Sequence, residues 1–144
     1  MLAGLEDLPP EVHIALVHDA ARPFLDDAVI DRVVAAARLG EGAVPALPLH
    51  DTLKRAGDDD LVTATVPRDG LWRAQTPQAF PRAMIERAYR EARAQNIHAT
   101  DDAALCERLG LPVRVVAGSE LAMKITDEVD FARAESMALP ARKA

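Results

Sequence analysis

Ile14-Ala15-Leu16-Val17-His18-Asp19-Ala20-Ala21-Arg22-Pro23 is the stretch that decides the fold. An apolar run stops there on an acid, an arginine and a proline within five positions. A buried strand that ends in a working loop reads this way. In open α/β sheets, ligands sit in the crevice beyond the carboxyl ends of the strands, where a carboxylate can hold a cation and an arginine can grip an anion. Asp19 and Arg22 are therefore the first candidate functional residues. Asp19 offers the hard oxygen that Mg²⁺ prefers, and Mg²⁺ usually takes only one or two protein carboxylates, completing its shell with water and substrate phosphate. The other reading is an aspartate that caps the next turn and an arginine that bridges to it. Residue types alone leave both open.

Working outward, 144 residues suit a single domain with a real core. Hydrophobic residues at 49% with 28% charged fit a globular protein, and aromatics at 3% mean that Ala, Val, Leu and Ile must fill the interior. That composition favours α/β packing. The net charge of -6 and the scattered basic residues exclude a nucleic-acid surface, so any bound anion must be met locally. The single cysteine, Cys106, excludes an internal disulfide and reads as a small core residue. Glu6 and Asp7 stand where a signal peptide would carry basic residues, and no apolar run reaches membrane-spanning length. The expected location is the cytoplasm.

Residues 1–10 show no periodicity, end in Pro9-Pro10 and read as an irregular lead-in. The first strand is expected at 12–18. A helix follows, capped by Asp26 or Asp27, with Val29, Ile30, Val33, Val34 and Ala37 at amphipathic spacing and a stop at Gly40. A second apolar run, 43–49, contains Pro45 and Pro48, which argue for an edge or a bend rather than a central strand. Gly40-Glu41-Gly42 is not a dinucleotide fingerprint, because Pro45 takes the third glycine's place and the pair precedes a strand. His13, His18, His50, His98 and Cys106 have no zinc-ligand spacing, and no Ser-His-Asp or Cys-His set stands out.

Residues 51–78 change character, alternating short β-prone runs with the turns Gly57-Asp58-Asp59-Asp60 and Asp69-Gly70. They predict a three-stranded meander. Such a ribbon buries little, so its apolar face, including Trp72, needs its own domain or a second subunit. Thr76-Pro77-Gln78 closes the ribbon, and Pro81 is expected in the first turn of a helix with Ala83, Met84, Ala88 and Ala92 inward. The next helix starts at Thr100-Asp101-Asp102 and stops at Gly110. Thr100 reads first as its N-cap, or else as a hydroxyl facing a phosphate. A strand is expected at 113–117 and a short one at 121–125. Thr126 then caps a last helix running to about 137, with fraying at 140–144. Lys124, one of three lysines, sits in an apolar segment and either snorkels to water or points into a cleft.

Taken together, His18-Asp19-Ala20-Ala21-Arg22-Pro23, Asp51-Thr52-Leu53-Lys54-Arg55, Gly70-Leu71-Trp72-Arg73-Ala74-Gln75-Thr76-Pro77-Gln78, Thr100-Asp101 and Lys124-Ile125-Thr126 closely resemble the 2-C-methyl-D-erythritol 4-phosphate cytidylyltransferase family over 12–139. The resemblance implies a Rossmann-like α/β nucleotidyltransferase sheet with flanking helices and a protruding β-arm at about 51–78. It also implies a homodimer joined through that arm. The implied reaction moves a cytidylyl group from CTP to the methylerythritol phosphate and releases diphosphate, a step of non-mevalonate isoprenoid synthesis. By the same resemblance, Asp19 looks like the Mg²⁺ and substrate-hydroxyl residue, forming the catalytic set with Arg22 and Lys124. Arg22, Thr52, Thr76, Thr100 and Lys124 look like the substrate-phosphate and polyol pocket. Arg68 looks like the arm residue that reaches the partner's substrate, although Pro67 precedes it where the family suggests an acid. Such a reaction gathers several negative charges, which fixed cations and a metal must offset.

Nothing here matches the family's glycine-rich loop for the CTP triphosphate. The chain is therefore expected to be a C-terminal part that carries mainly the substrate-binding half, with an exposed sheet edge and little catalysis alone. A ribitol 5-phosphate cytidylyltransferase is the close alternative, which Ala21 disfavours. A non-catalytic dimerisation module is the distant one.

Overall fold

The computed structural model describes residues 2–138. β1 (Ile14–Val17) falls inside the expected span. Next, α2 (Asp27–Arg38) begins at Asp26, whose carboxylate accepts the Ala28 N–H at 2.9 Å. It stops before Gly40, whose φ of 86° is a left-handed value that suits glycine. Val29, Val33, Ala36 and Ala37 are its buried residues, the spacing that puts them on one face.

β2 (Gly42–Pro48) is the centre of the sheet, not its edge. On one side it runs parallel to β7 (Val113–Ala117), with Ala43 opposite Arg114 and Ala46 opposite Ala117. On the other side β5 (Trp72–Ala74) and β6 (Gln78–Pro81) form one interrupted antiparallel line, and β6 pairs onward with β1. Between the pairs Ala46–Ala74 and Ala43–Ala79, β2 advances three residues while its partner line advances five. The line therefore bulges at 75–77. The Pro45 carbonyl accepts the Gln75 N–H at 2.7 Å, so the donor that Pro45 lacks would face this bulge. A central proline is tolerated because no ladder bond is asked of it there.

The expected meander divides between Val66 and Trp72. β3 (Leu53–Ala56) and β4 (Val62–Val66) form a separate two-stranded ribbon, whereas its supposed third strand is β5 and belongs to the main sheet. Residues 72–74 extend the line of β6 and pair with β2. Pro81 ends β6 and caps α3 (Arg82–Ala94) instead of sitting in its first turn. The Arg82 N–H still bonds the His13 carbonyl at 2.8 Å, which carries extended pairing one residue past the proline.

The core follows the strand alternation. Val44 and Phe80 face Ile85 and Ala88 of α3 and Leu105 and Cys106 of α4 (Asp102–Arg108). Ala43 and Ala79 face Val33, Ala36 and Ala37 of α2. Burial, then the charges of Asp102, Glu107 and Asp101, push the Cys106 thiol up to about 11, so it is an inert core residue.

Residues 2–6 are not irregular: α1 (Leu2–Glu6) buries Leu5, and Arg82 ties it to α3 through the Leu5 carbonyl at 3.3 Å. Five residues are too few to show a period. The strand expected at 121–125 is absent, since the Ile125 N–H bonds the Ala21 carbonyl at 2.8 Å and docks this segment on the loop after β1. α5 (Glu128–Ala138) is capped by Asp127, which accepts the Asp130 N–H at 2.8 Å. Thr126 instead bonds the Asp130 carboxylate, at 3.1 Å through its N–H and 2.7 Å through its hydroxyl. The fraying expected at 140–144 lies outside the described residues. Among the described residues no helix is long and apolar enough to cross a membrane.

Candidate functional site

The site begins where β1 ends. Asp19 sits in a turn closed by the Arg22 N–H on the Asp19 carbonyl at 3.0 Å. Its own N–H donates to Thr76 Oγ1 at 2.9 Å. Its Oδ2 meets Arg22 Nε at 3.3 Å and Lys124 Nζ at 3.2 Å. Arg22 reaches on to the Ala122 carbonyl at 2.7 Å. The bridge between Asp19 and Arg22 is present, and the bridged pair lines a cavity of about 380 Å³ with Thr76, Thr100 and Lys124. Burial opposes the Asp19 charge, but the Lys124 ammonium and then the Arg22 guanidinium outweigh it and hold the carboxyl below its usual range.

Each remaining wall has a local cause. Thr76 stands in the bulge between β5 and β6, with Oγ1 2.9 Å from His18 Nδ1, while His18 Nε2 lies 3.0 Å from the Arg22 carbonyl. A carbonyl only accepts, so the network assigns the proton to Nε2, and in a neutral ring Nδ1 accepts from the threonine hydroxyl. Thr100 is not the cap of α4. Asp101 takes that place, accepting the Ala104 N–H at 2.9 Å and, on its other oxygen, Gln78 Nε2 at 2.8 Å. Asp102 is engaged by the Tyr89 hydroxyl, and burial together with that bond pushes the phenol above its usual range. Lys124 lies in the docked loop and points at Asp19 rather than simply snorkelling to water.

Thr52 and Arg68 stay out of this hollow. Thr52 is exposed directly before β3, which pairs only with β4 among the described residues; Arg68 is exposed and donates to the His50 carbonyl. So Asp19, Arg22, Thr76, Thr100 and Lys124 converge within this chain, and the placing of Thr52 with them is corrected. A second cavity, of about 610 Å³, adjoins the first and shares Asp19, Thr100 and Asp101 with it. Three carboxylates (Asp19, Asp101, Asp102) and two cations (Arg22, Lys124) line the smaller hollow. Chemically it offers the Thr100 hydroxyl and two cations to a phosphate, and a carboxylate to a hydroxyl or a divalent ion.

A mixed sheet covered by helices, with this hollow beyond the carboxyl end of β1, defines an α/β domain of the nucleotidyltransferase type. The family model for 2-C-methyl-D-erythritol 4-phosphate cytidylyltransferase matches residues 1–139, and the chain belongs to that family. A "Bifunctional enzyme IspD/IspF" of Chelativorans sp. is 48% identical over 141 residues, covering 97% of this chain and 34% of the relative. A 2-C-methyl-D-erythritol 4-phosphate cytidylyltransferase of Pelotomaculum thermopropionicum is 47% identical over 134 residues, covering 93% of this chain and 56% of the relative. The crystal structure of the Thermus thermophilus 2-C-methyl-D-erythritol 4-phosphate cytidylyltransferase superposes with a TM-score of 0.87 at 39% identity, covering 95% of this chain and 66% of that one. The chain thus spans about a third to a half of the length of these curated relatives.

Proposed function

We propose that this chain carries the polyol-phosphate side of a cytidylyltransferase that acts on CTP and 2-C-methyl-D-erythritol 4-phosphate, releasing diphosphate, in non-mevalonate isoprenoid synthesis. The observation behind the reading is the Lys124–Asp19 contact at 3.2 Å, which joins two residues far apart in the chain in one hollow with Arg22, Thr76 and Thr100. In such a transfer a phosphate oxygen of the substrate attacks the α-phosphorus of CTP, and the bond from that phosphorus to the diphosphate breaks. Arg22 suits a directed grip on the substrate phosphate and Lys124 a point charge beside it. The Thr100 hydroxyl can donate to the same ligand, and Thr76, whose proton goes to His18, keeps a lone pair for a ligand hydroxyl.

Mg²⁺ suits Asp19 as its one protein oxygen. Among the described residues only Oδ2 of that carboxylate is engaged, and no group of three or more His, Cys, Asp or Glu stands ready to cage a metal. When bound, the ion offsets phosphate charge. The remaining shortage of positive charge in the hollow favours a homodimer, in which the ribbon of a second copy brings Arg68, with Thr52 beside it.

Calorimetry with 2-C-methyl-D-erythritol 4-phosphate tests the reading. Heat of binding that Arg22→Ala or Lys124→Ala weakens by roughly tenfold to a hundredfold supports it, and no heat at millimolar ligand favours a non-catalytic module instead. Competition with ribitol 5-phosphate decides the polyol.

A further inference from the structure

Two glutamines flank the Thr76-Pro77 bulge, and both are buried: Gln75 is 6% and Gln78 2% exposed. A buried amide persists only with partners at both ends. Gln75 finds all of its partners in one loop. Its Nε2 donates to the Ser119 carbonyl at 2.8 Å and the Ala122 carbonyl at 3.4 Å, and its Oε1 accepts the Ser119 N–H at 3.0 Å. Both hydrogens of the amide are thereby spent, which leaves Gln75 no donor for a ligand. The Ala122 carbonyl is the one that Arg22 also grips, and Lys124 follows two residues later. Gln78 makes the matching bonds on the opposite wall, to Asp101 at 2.8 Å and to the Ala103 N–H at 2.9 Å, beside Thr100. Gly118 leaves the space that Gln75 needs: a Cβ there would collide with Gln75 Oε1 and press within 3.2 Å of the Ala46 backbone.

We propose that Gln75 is a positioning residue. It holds the loop of residues 118–125 so that Lys124 and Arg22 stand over Asp19 before any ligand arrives. A hollow formed in advance spares the ligand the entropy of ordering that loop. The effect on ligand rests on the function proposed above; the hold on the loop does not.

Gln75→Leu keeps the volume and removes every bond, while Gly118→Ala displaces the amide with Gln75 intact. Amide hydrogen exchange and calorimetry with 2-C-methyl-D-erythritol 4-phosphate on the 144-residue chain separate the possibilities. Both variants should speed exchange at Ser119, Ala122 and Ile125, leave α2 and α3 protected, and weaken ligand binding by roughly tenfold. Gln78→Ala should instead loosen the first turn of α4. Unchanged exchange at Ser119 and Ala122 in Gln75→Leu, or a uniform rise across the chain with affinity following only the folded fraction, overturns the proposal. Should the unaltered chain bind no ligand, the proposed function falls while the exchange pattern still decides the role of Gln75.

Discussion

The hollow beyond β1 and the ribbon of β3 and β4 hold themselves together differently. In the hollow, polar groups bond across elements: Asp19 to Thr76 and Lys124, Arg22 to Ala122, Gln75 to Ser119, Gln78 to Asp101. Among the described residues the ribbon bonds only within itself, as in Lys54 to Thr65 at 2.6 Å and Thr63 to the Arg55 carbonyl at 3.1 Å, while Leu61 and Val62 stay 66% and 63% exposed. The first region inherits its geometry from the core. The second has an apolar face that its own chain leaves uncovered, as an isolated two-stranded ribbon must. The main fold thus gathers Asp19, Arg22, Thr76, Thr100 and Lys124 around one hollow, whereas Thr52 and Arg68 flank the ribbon outside it.

Substitutions can break this contrast. Phe80, fully buried under α3 and α4, supports both the sheet and the bulge that carries Thr76. Phe80→Ala should cost about 3–5 kcal/mol in denaturant unfolding and loosen the hollow with it. Removing a charged grip should cost less: Arg22→Ala or Lys124→Ala is expected to lose about 1.5–3 kcal/mol of phosphate-ligand binding by calorimetry, with the ribbon undisturbed.

Acid should act on the hollow next. Burial raises the Asp19 carboxyl, but Lys124 and Arg22 more than reverse this, so the folded group titrates below its unfolded value. Its stabilisation is full above the ordinary carboxylate pKa of about 4 and fades as pH falls from there toward the depressed value. Asp19→Asn should flatten the stability curve in that window, measured by thermal unfolding against pH. With this side chain 36% exposed, solvent screening keeps the effect modest. Smallest of all, Leu61→Ser with Val62→Ser should change the unfolding free energy of a single copy by no more than about 0.5 kcal/mol. The same pair should lower self-association in analytical ultracentrifugation. A large loss of stability in a single copy would mean that the ribbon is bound into the core after all.

What the sequence made legible follows from the range of the interactions. The end of β1, the Asp26 cap and Gly40 stop of α2, and the β7 run are local signals, and all stand in the structure. Pro45 misled because its missing donor matters only where a ladder bond is due, and the bulge in a strand thirty residues away removes that demand. Trp72-Arg73-Ala74 looked like ribbon because its neighbours did; its partner is distant β2. Residues 121–125 have the composition of a strand but dock on a loop instead. For the site, Asp19 and Arg22 announce themselves by interrupting an apolar run, whereas Gln75, Gln78 and His18 act through backbone groups and side chains distant in sequence that no spacing marks.

The most direct measurement is an amide-resolved NMR titration of the chain with 2-C-methyl-D-erythritol 4-phosphate. A single phosphate-receiving hollow predicts that Asp19, Thr76, Thr100 and Lys124 shift together and saturate along one binding curve. Shifts confined to one of these loops, or several curves with different midpoints, would contradict it.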